Sequence, residues 1–449
     1  MEISQQPVLH IEARIKSNKD DGIIIRTDLI RDDITKWLVD RFVVLSVGQE
    51  LTMFESITVT ECTGGERESG VYRLLQVELD VQAYQLREGL DQENSQPTQQ
   101  LEDSTEMGED PTKGRVLLLP SKELDGLWES LQFDQPLQAT LLHAINRMVS
   151  FSARKLNKWT INWNRLILLW GPPGTGKTSL CRGLSQKLAI RMGKQYPQSK
   201  LIEINAHSLG SKYFGESSKL VAKMFENIET LLEDEEETFV CVFMDEVETL
   251  AAGRERALSG NEPFDAVRAV NALLTGLDRL RNYCNVIVVC TSNLITALDE
   301  AFLDRVDIKY FIPQLSSRAI YGIYKECLEE LNRHGIIEGA SFDVRRMNPT
   351  DPQTALEYLE QPTENLVIPT FDEAIITYQP FPDAIPRQLV DVATESVGLS
   401  GRTIRRLPVL SLVLYGGSGG GSVRSTIYAL RTGVESDRQA KAEAHTDGK

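Results

Sequence analysis

The chain has 449 residues, 48 Lys and Arg against 65 Asp and Glu, a formal net charge of −17 and 41% hydrophobic residues. That length exceeds one compact core and points to several globular domains. The acidic balance argues against a general grip on nucleic acid, and no apolar run approaches membrane-spanning length.

The N-terminus, Met1-Glu-Ile-Ser-Gln-Gln, lacks the basic-then-apolar pattern of a signal peptide. Residues 1–86 read as a small α/β binding domain. Val8-Leu-His-Ile-Glu-Ala-Arg-Ile15 and Leu74-Leu-Gln-Val-Glu-Leu-Asp-Val81 alternate as half-buried strands, and two β-favouring runs lie between them. His10, a single histidine on a strand, reads as structural rather than as a ligand. Residues 87–115 form an acidic linker. From Glu88 to Thr112 there is no Lys or Arg, and such a composition cannot bury enough apolar surface to order itself.

Order resumes with Val116-Leu-Leu-Leu119 and an amphipathic helix from about Pro136 to Phe151. Leu166-Ile-Leu-Leu-Trp170 then reads as a buried parallel strand. It runs into Gly171, Pro172, Pro173, Gly174, Thr175, Gly176, Lys177, Thr178 and Ser179. Leu180, Leu184 and Leu188 follow as the inner face of a helix. This is G-x-x-x-x-G-K-[ST] between a strand and a helix, the context in which the pattern binds a nucleoside triphosphate such as ATP. The glycines let backbone N–H groups close around phosphates, Lys177 can reach the β- and γ-phosphates, and the Thr178 hydroxyl can ligate Mg²⁺.

Strands and helices keep alternating. Leu201–Ile204 is a strand, residues 217–232 form a helix, and Phe239–Met244 is an apolar strand ending in Asp245-Glu246. A helix around 265–277 precedes Val286–Cys290, a strand that ends at Thr291-Ser-Asn293. The pattern predicts an α/β fold with a doubly wound parallel sheet over 116–314 and ligands at the strands' carboxyl ends. There Asp245 can hold Mg²⁺, Glu246 can take a proton from the attacking water, and Asn293 can orient that water. Hydrolysis is favoured over phosphoryl transfer to a substrate.

Residues 315–435 read as a small helical lid, with Ile320, Ile323, Tyr324, Cys327, Leu328 and Leu331 at helical spacing. Pro349 to Pro386 reads as a surface excursion, Gly416–Ser422 as a flexible spacer between lid helices, and residues 436–449 as a flexible tail. The scattered Cys62, Cys181, Cys241, Cys284, Cys290 and Cys327 form no C-x-x-C, so free thiols in the cytosol or nucleus are expected.

The P-loop, Asp245-Glu246, Asn293 and the lid together resemble an AAA+ ATPase. Leu201–Leu209, Ser211–Ser217, Ala301–Lys309 and Gly398–Arg402 more narrowly resemble the pachytene checkpoint protein family, the thyroid-receptor-interacting AAA+ ATPases. Gly126-Leu-Trp128 and Asn162-Trp-Asn164 also match its pattern. The likeness is close over residues 116–335 and 398–410 and looser in the first domain, which it makes a substrate- or adaptor-binding domain. The resemblance implies a homohexamer that uses ATP and Mg²⁺ to remodel HORMA-domain proteins of the meiotic chromosome axis and the spindle checkpoint. Some of those substrates come through a HORMA adaptor. It implies a nuclear protein on chromosomes, with the cytoplasm as a second expected location; the lack of a long apolar run and the acidic balance predict no membrane and no direct sequence-specific nucleic-acid binding. By the same resemblance Arg402 senses the γ-phosphate within its own subunit, and Arg305 is donated into a neighbour's site. Many AAA+ proteins carry two arginines around a Pro-Gly there, and this chain does not. Lys212, Tyr213, Phe214 and Gly215 resemble an aromatic pore loop that grips the translocating chain. The rivals are a nucleotide-dependent scaffold with little turnover and a nucleic-acid motor. Glu246, Asn293 and Arg402 weigh against the first, the acidic balance against the second.

Overall fold

Alternating apolar residues build the first sheet of the structure, a computed structural model. It describes residues 7–15, 27–51, 55–64, 70–88, 114–152, 154, 157, 160–161, 163–206, 209, 217–251, 263–346, 356–416 and 421–446. The N-terminal domain comprises strands β1 (Val8–Arg14), β2 (Val44–Ser46), β3 (Glu50–Leu51), β4 (Ser56–Thr63), β5 (Val71–Arg73) and β6 (Glu78–Tyr84), with helix α1 (Thr27–Arg41). Its main sheet runs β3-β4-β1-β6, with β1 antiparallel to β4 and parallel to β6. Leu9, Ile11 and Ala13 pack in one core with Ile34 and Leu38 of α1. The sequence predicts β1 as half-buried, yet both of its faces are covered. His10 and Glu12, on the face opposite the core, are buried as well, and Glu12 accepts a hydrogen bond from Lys187 at 2.6 Å.

The largest sheet contains β7 (Arg115–Leu119), β8 (Leu166–Trp170), β9 (Gln198–Asn205), β10 (Thr238–Asp245), β11 (Val286–Ser292) and β12 (Ile308–Phe311). Its order is β12-β8-β11-β10-β9-β7, parallel throughout except for the antiparallel edge strand β7. Around it lie α2 (Leu137–Ser152), α3 (Lys177–Met192), α4 (Ser217–Asp234), α5 (Pro263–Leu280) and the short α6 (Glu300–Leu303). Val240 and Val242 pack with Phe225 of α4 and Leu273 of α5. On the opposite face Cys241 Sγ lies 3.0 Å from Ser185 Oγ of α3. The sheet is therefore doubly wound, which is why β10 and β11 read as unbroken apolar runs. All six cysteines are free.

These elements belong to one compact unit; Glu129–Leu137, Gly171–Gly176 and the chain from Ile312 form a second. The second unit holds α7 (Ser317–Arg333), β13 (Gly339–Arg346), β14 (Leu356–Thr363), α8 (Phe371–Thr377), α9 (Ile385–Glu395), α10 (Gly401–Tyr415) and α11 (Val423–Thr446). Its core joins Ile320, Tyr324 and Leu328 of α7 to Leu389 of α9, Ile404 and Leu407 of α10, and Leu430 of α11.

Two expectations change here. In the described part of Pro349–Pro386, β14 closes an antiparallel hairpin with β13 and is followed by α8 and the start of α9, so the stretch is structured rather than a bare excursion. The expected flexible tail from residue 436 instead continues α11 as far as Thr446, because its Gln, Lys, Glu and Ala residues are good helix formers.

Candidate active site

Each half of the nucleotide machinery follows from local backbone chemistry. In the second unit, Gly174 and Gly176 sit at φ +75° and +90°, a region costly for any residue with a Cβ. A Cβ at Gly174 would also lie 2.5 Å from Ser400 Cβ. Gly401 N–H donates to the Gly174 carbonyl at 2.7 Å, which sets the start of α10 against the glycine turn. Ser400 caps that helix by accepting from Thr403 N–H at 3.2 Å, and Arg402, in its first turn, is exposed. Pro172, Pro173, Gly174, Gln314, Leu315 and Gly398 help line a cavity of about 220 Å³.

The chain enters α3 at Lys177, a residue only 6% exposed. Burial pushes its pKa down, while Glu248 and Asp245 pull it back up. Thr178 Oγ1 donates to both oxygens of Asp245, at 3.1 Å each. A hydroxyl held against a carboxylate offers the hard oxygen donors that suit Mg²⁺, and a lysine near them suits a polyphosphate, so these residues fit ATP with its metal.

Glu246, directly after β10, lies in the left-handed region, at φ 53° and ψ 49°. Such a conformation costs a non-glycine residue about 1–3 kcal/mol and persists only where neighbours hold it. Thr291 of β11 is that neighbour. Its Oγ1 accepts from Glu246 N–H at 3.1 Å and donates to Asp245 Oδ1. The Glu246 side chain is exposed, free to meet a water. Asn293 donates its backbone N–H to Glu248 Oε1 at 3.0 Å, which fixes the loop after β11.

The structure thus gathers Lys177, Thr178, Asp245 and Glu246 at the carboxyl ends of β8 and β10, with Asn293 just beyond β11. It adds Thr291 and Glu248, which the sequence reading missed. Arg305 lies apart, its Nε and Nη2 each 2.9 Å from the Asp278 carboxylate and its Nη1 2.8 Å from the Ala301 carbonyl. Lys212, Tyr213, Phe214 and Gly215 lie outside the described residues.

A phosphate-binding turn between β8 and α3, with paired carboxylates at the end of β10, defines a P-loop ATPase. Residues 167–314 match the model of the ATPase family associated with various cellular activities (AAA). Residues 316–438 match the TRIP13-like AAA+ ATPase lid C-terminal domain and residues 4–89 the TRIP13 N-terminal domain. The pachytene checkpoint protein 2 homolog of Danio rerio is 38% identical over 388 residues, 86% of this chain and 83% of that one. The Homo sapiens homolog is 41% identical over 298 residues, 66% of this chain and 63% of that one. The solved structure of C. elegans PCH-2 superposes with a TM-score of 0.68 at 29% identity, covering 96% of this chain and 99% of that one. A chain of the E. coli MS115-1 HORMA:CdnC:Trip13 complex shares the fold at 17% identity, with a TM-score of 0.51, covering 72% of this chain and 97% of that one. The chain belongs to the pachytene checkpoint protein 2 family, and it is an AAA+ ATPase.

Proposed function

We propose that the chain works as a homohexamer that spends ATP hydrolysis on opening HORMA-domain proteins, in the nucleus on meiotic chromosomes and in checkpoint signalling. The observation that carries the hydrolytic part is Glu246, held strained and exposed by Thr291 beside the Thr178–Asp245 pair. Family membership and the matched N-terminal domain support the choice of substrate.

In this reading the glycine turn and Lys177 bind the polyphosphate. Thr178 and Asp245 would hold Mg²⁺, which when bound offsets charge on the phosphate oxygens. Glu246 accepts the proton of the attacking water, and Asn293 orients that water. Arg402 senses the γ-phosphate within the subunit. Arg305 must leave Asp278 to serve a neighbour, and the exposure of that ion pair makes the exchange inexpensive. The loop carrying Tyr213 and Phe214 grips the extended segment of the substrate. The N-terminal domain receives the substrate or its adaptor.

Glu246→Gln should keep ATP binding and lose hydrolysis by at least about a hundredfold. With ATP it should trap a stable hexamer, and a HORMA-domain protein should co-purify. Normal turnover by this variant, or trapped hexamers without a HORMA protein, would refute the assignment.

A further inference from the structure

Three side chains unused by the ATPase reaction meet where the N-terminal domain faces α2. His10 lies on β1, Glu61 on β4 and His143 on α2, and one ligand atom from each lies within 4.8 Å of the others. His10 is buried, with Nδ1 2.9 Å from Asp80 Oδ2. A carboxylate there holds the proton on Nδ1 and leaves the lone pair on Nε2, the arrangement that orients metal-binding imidazoles. Thr63 Oγ1 is 3.2 Å from that Nε2.

His143 Nε2 and Glu61 Oε1 are 3.3 Å apart, and both are buried atoms without a well-formed hydrogen bond. Buried polar atoms rarely stay so. With no proton on Nε2, its lone pair and the carboxylate oxygen would repel, and a shared cation would turn that repulsion into ligation.

Charge points the same way. Glu61 and Asp80 are both negative, and the Arg191 guanidinium against Glu61 Oε1 is the positive partner. Nearby Lys187 and Glu12 cancel each other. With neutral imidazoles the cluster keeps one negative charge in excess, a costly state for buried groups.

We propose that His10, Glu61 and His143 bind one transition-metal dication, Zn²⁺ by the chemistry of a two-imidazole, one-carboxylate donor set, and that this ion pins the N-terminal domain to α2. Arg191 competes for Glu61, so the site is weaker than one built from three unshared ligands.

The test is metal binding by the full chain, stripped with a chelator, desalted and free of nucleotide. Co²⁺ should produce ligand-field absorption that saturates at a single equivalent per chain and is displaced by Zn²⁺. His143→Asn should abolish the saturating bands. Asp80→Asn, which keeps all three ligands, should weaken binding roughly tenfold to a hundredfold. Melting in chelator at the parent temperature shows that a variant is folded, and Glu61→Gln replaces His143→Asn if the latter fails. Zn²⁺ should also raise the melting temperature of the parent, a reading that needs no variant. A parent chain without saturable bands, or bands unchanged in the His143 or Glu61 variant, overturns the proposal.

Discussion

Thr291→Val isolates how Glu246, the carboxylate proposed to activate water, is held. Valine keeps the branched shape and removes the hydroxyl that joins Asp245 to the Glu246 backbone. The lost bond to an ionised carboxylate is worth about 1.5–3 kcal/mol and the lost N–H bond about 0.5–1.5 kcal/mol. Together they match or exceed the roughly 1–3 kcal/mol needed to keep Glu246 left-handed, so the carboxylate relaxes away from its working position. A misplacement of about 1 Å is worth on the order of a hundredfold. We expect kcat to fall about tenfold to a hundredfold, or ~1.4–2.7 kcal/mol. Nucleotide affinity should change little, because Lys177 and the glycine turn are untouched. Thr291→Ser, which restores the hydroxyl, should recover most of the rate. Steady-state turnover beside equilibrium binding of a fluorescent ATP analogue separates the two effects. Parental kcat in Thr291→Val, or a serine variant as slow as valine, would refute the reasoning.

Gly174→Ala forces a left-handed alanine against Ser400; by the cost of that conformation, about 1–2 kcal/mol, nucleotide affinity measured by calorimetry should drop roughly tenfold. Lys177→Ala should lose ATP affinity, since it deletes a charge-assisted contact. Mixed with Arg305→Ala subunits it should regain some ATPase activity if Arg305 acts on a neighbour, and exchange-competent mixtures with no rescue would count against that role. If the chain works as the proposed hexamer, Tyr213→Ala should abolish conversion of a HORMA substrate while size-exclusion chromatography still gives the parental assembly; conversion at the parental rate would remove the main support for threading.

Chemistry contiguous in the chain was legible. The glycine turn follows its strand directly, and Asp245-Glu246 closes six apolar residues, so the site's frame could be read without coordinates. Thr291 could not, because a β-branched residue in a buried strand reads as packing. Its hydroxyl matters only once β10 and β11 lie side by side. Glu248 was hidden likewise, since its partner is a backbone N–H across the sheet. The β13–β14 hairpin went unseen because β14 is largely exposed and shows no apolar face. His10 looked solitary because its neighbours, Glu61 and His143, come from distant elements, and only docking of the N-terminal domain brings them together.

Helix α3 carries Lys177 and Thr178 at its start and, toward its end, Lys187 bonded to Glu12 and Arg191 bonded to Glu61. Arg31 of the N-terminal domain also donates to the Gly193 carbonyl, just past the helix, at 2.9 Å. At 16 residues the helix is about 24 Å long and has no proline or described kink to absorb bending. It is a lever with the P-loop lysine at one end and the N-terminal domain at the other. A tilt of about 5° at the nucleotide would swing the far end by roughly 2 Å, comparable to a hydrogen-bond length. The buried ion pairs leave that domain little freedom to slip, so a turn of the ATPase cycle that moves α3 would carry the domain with it.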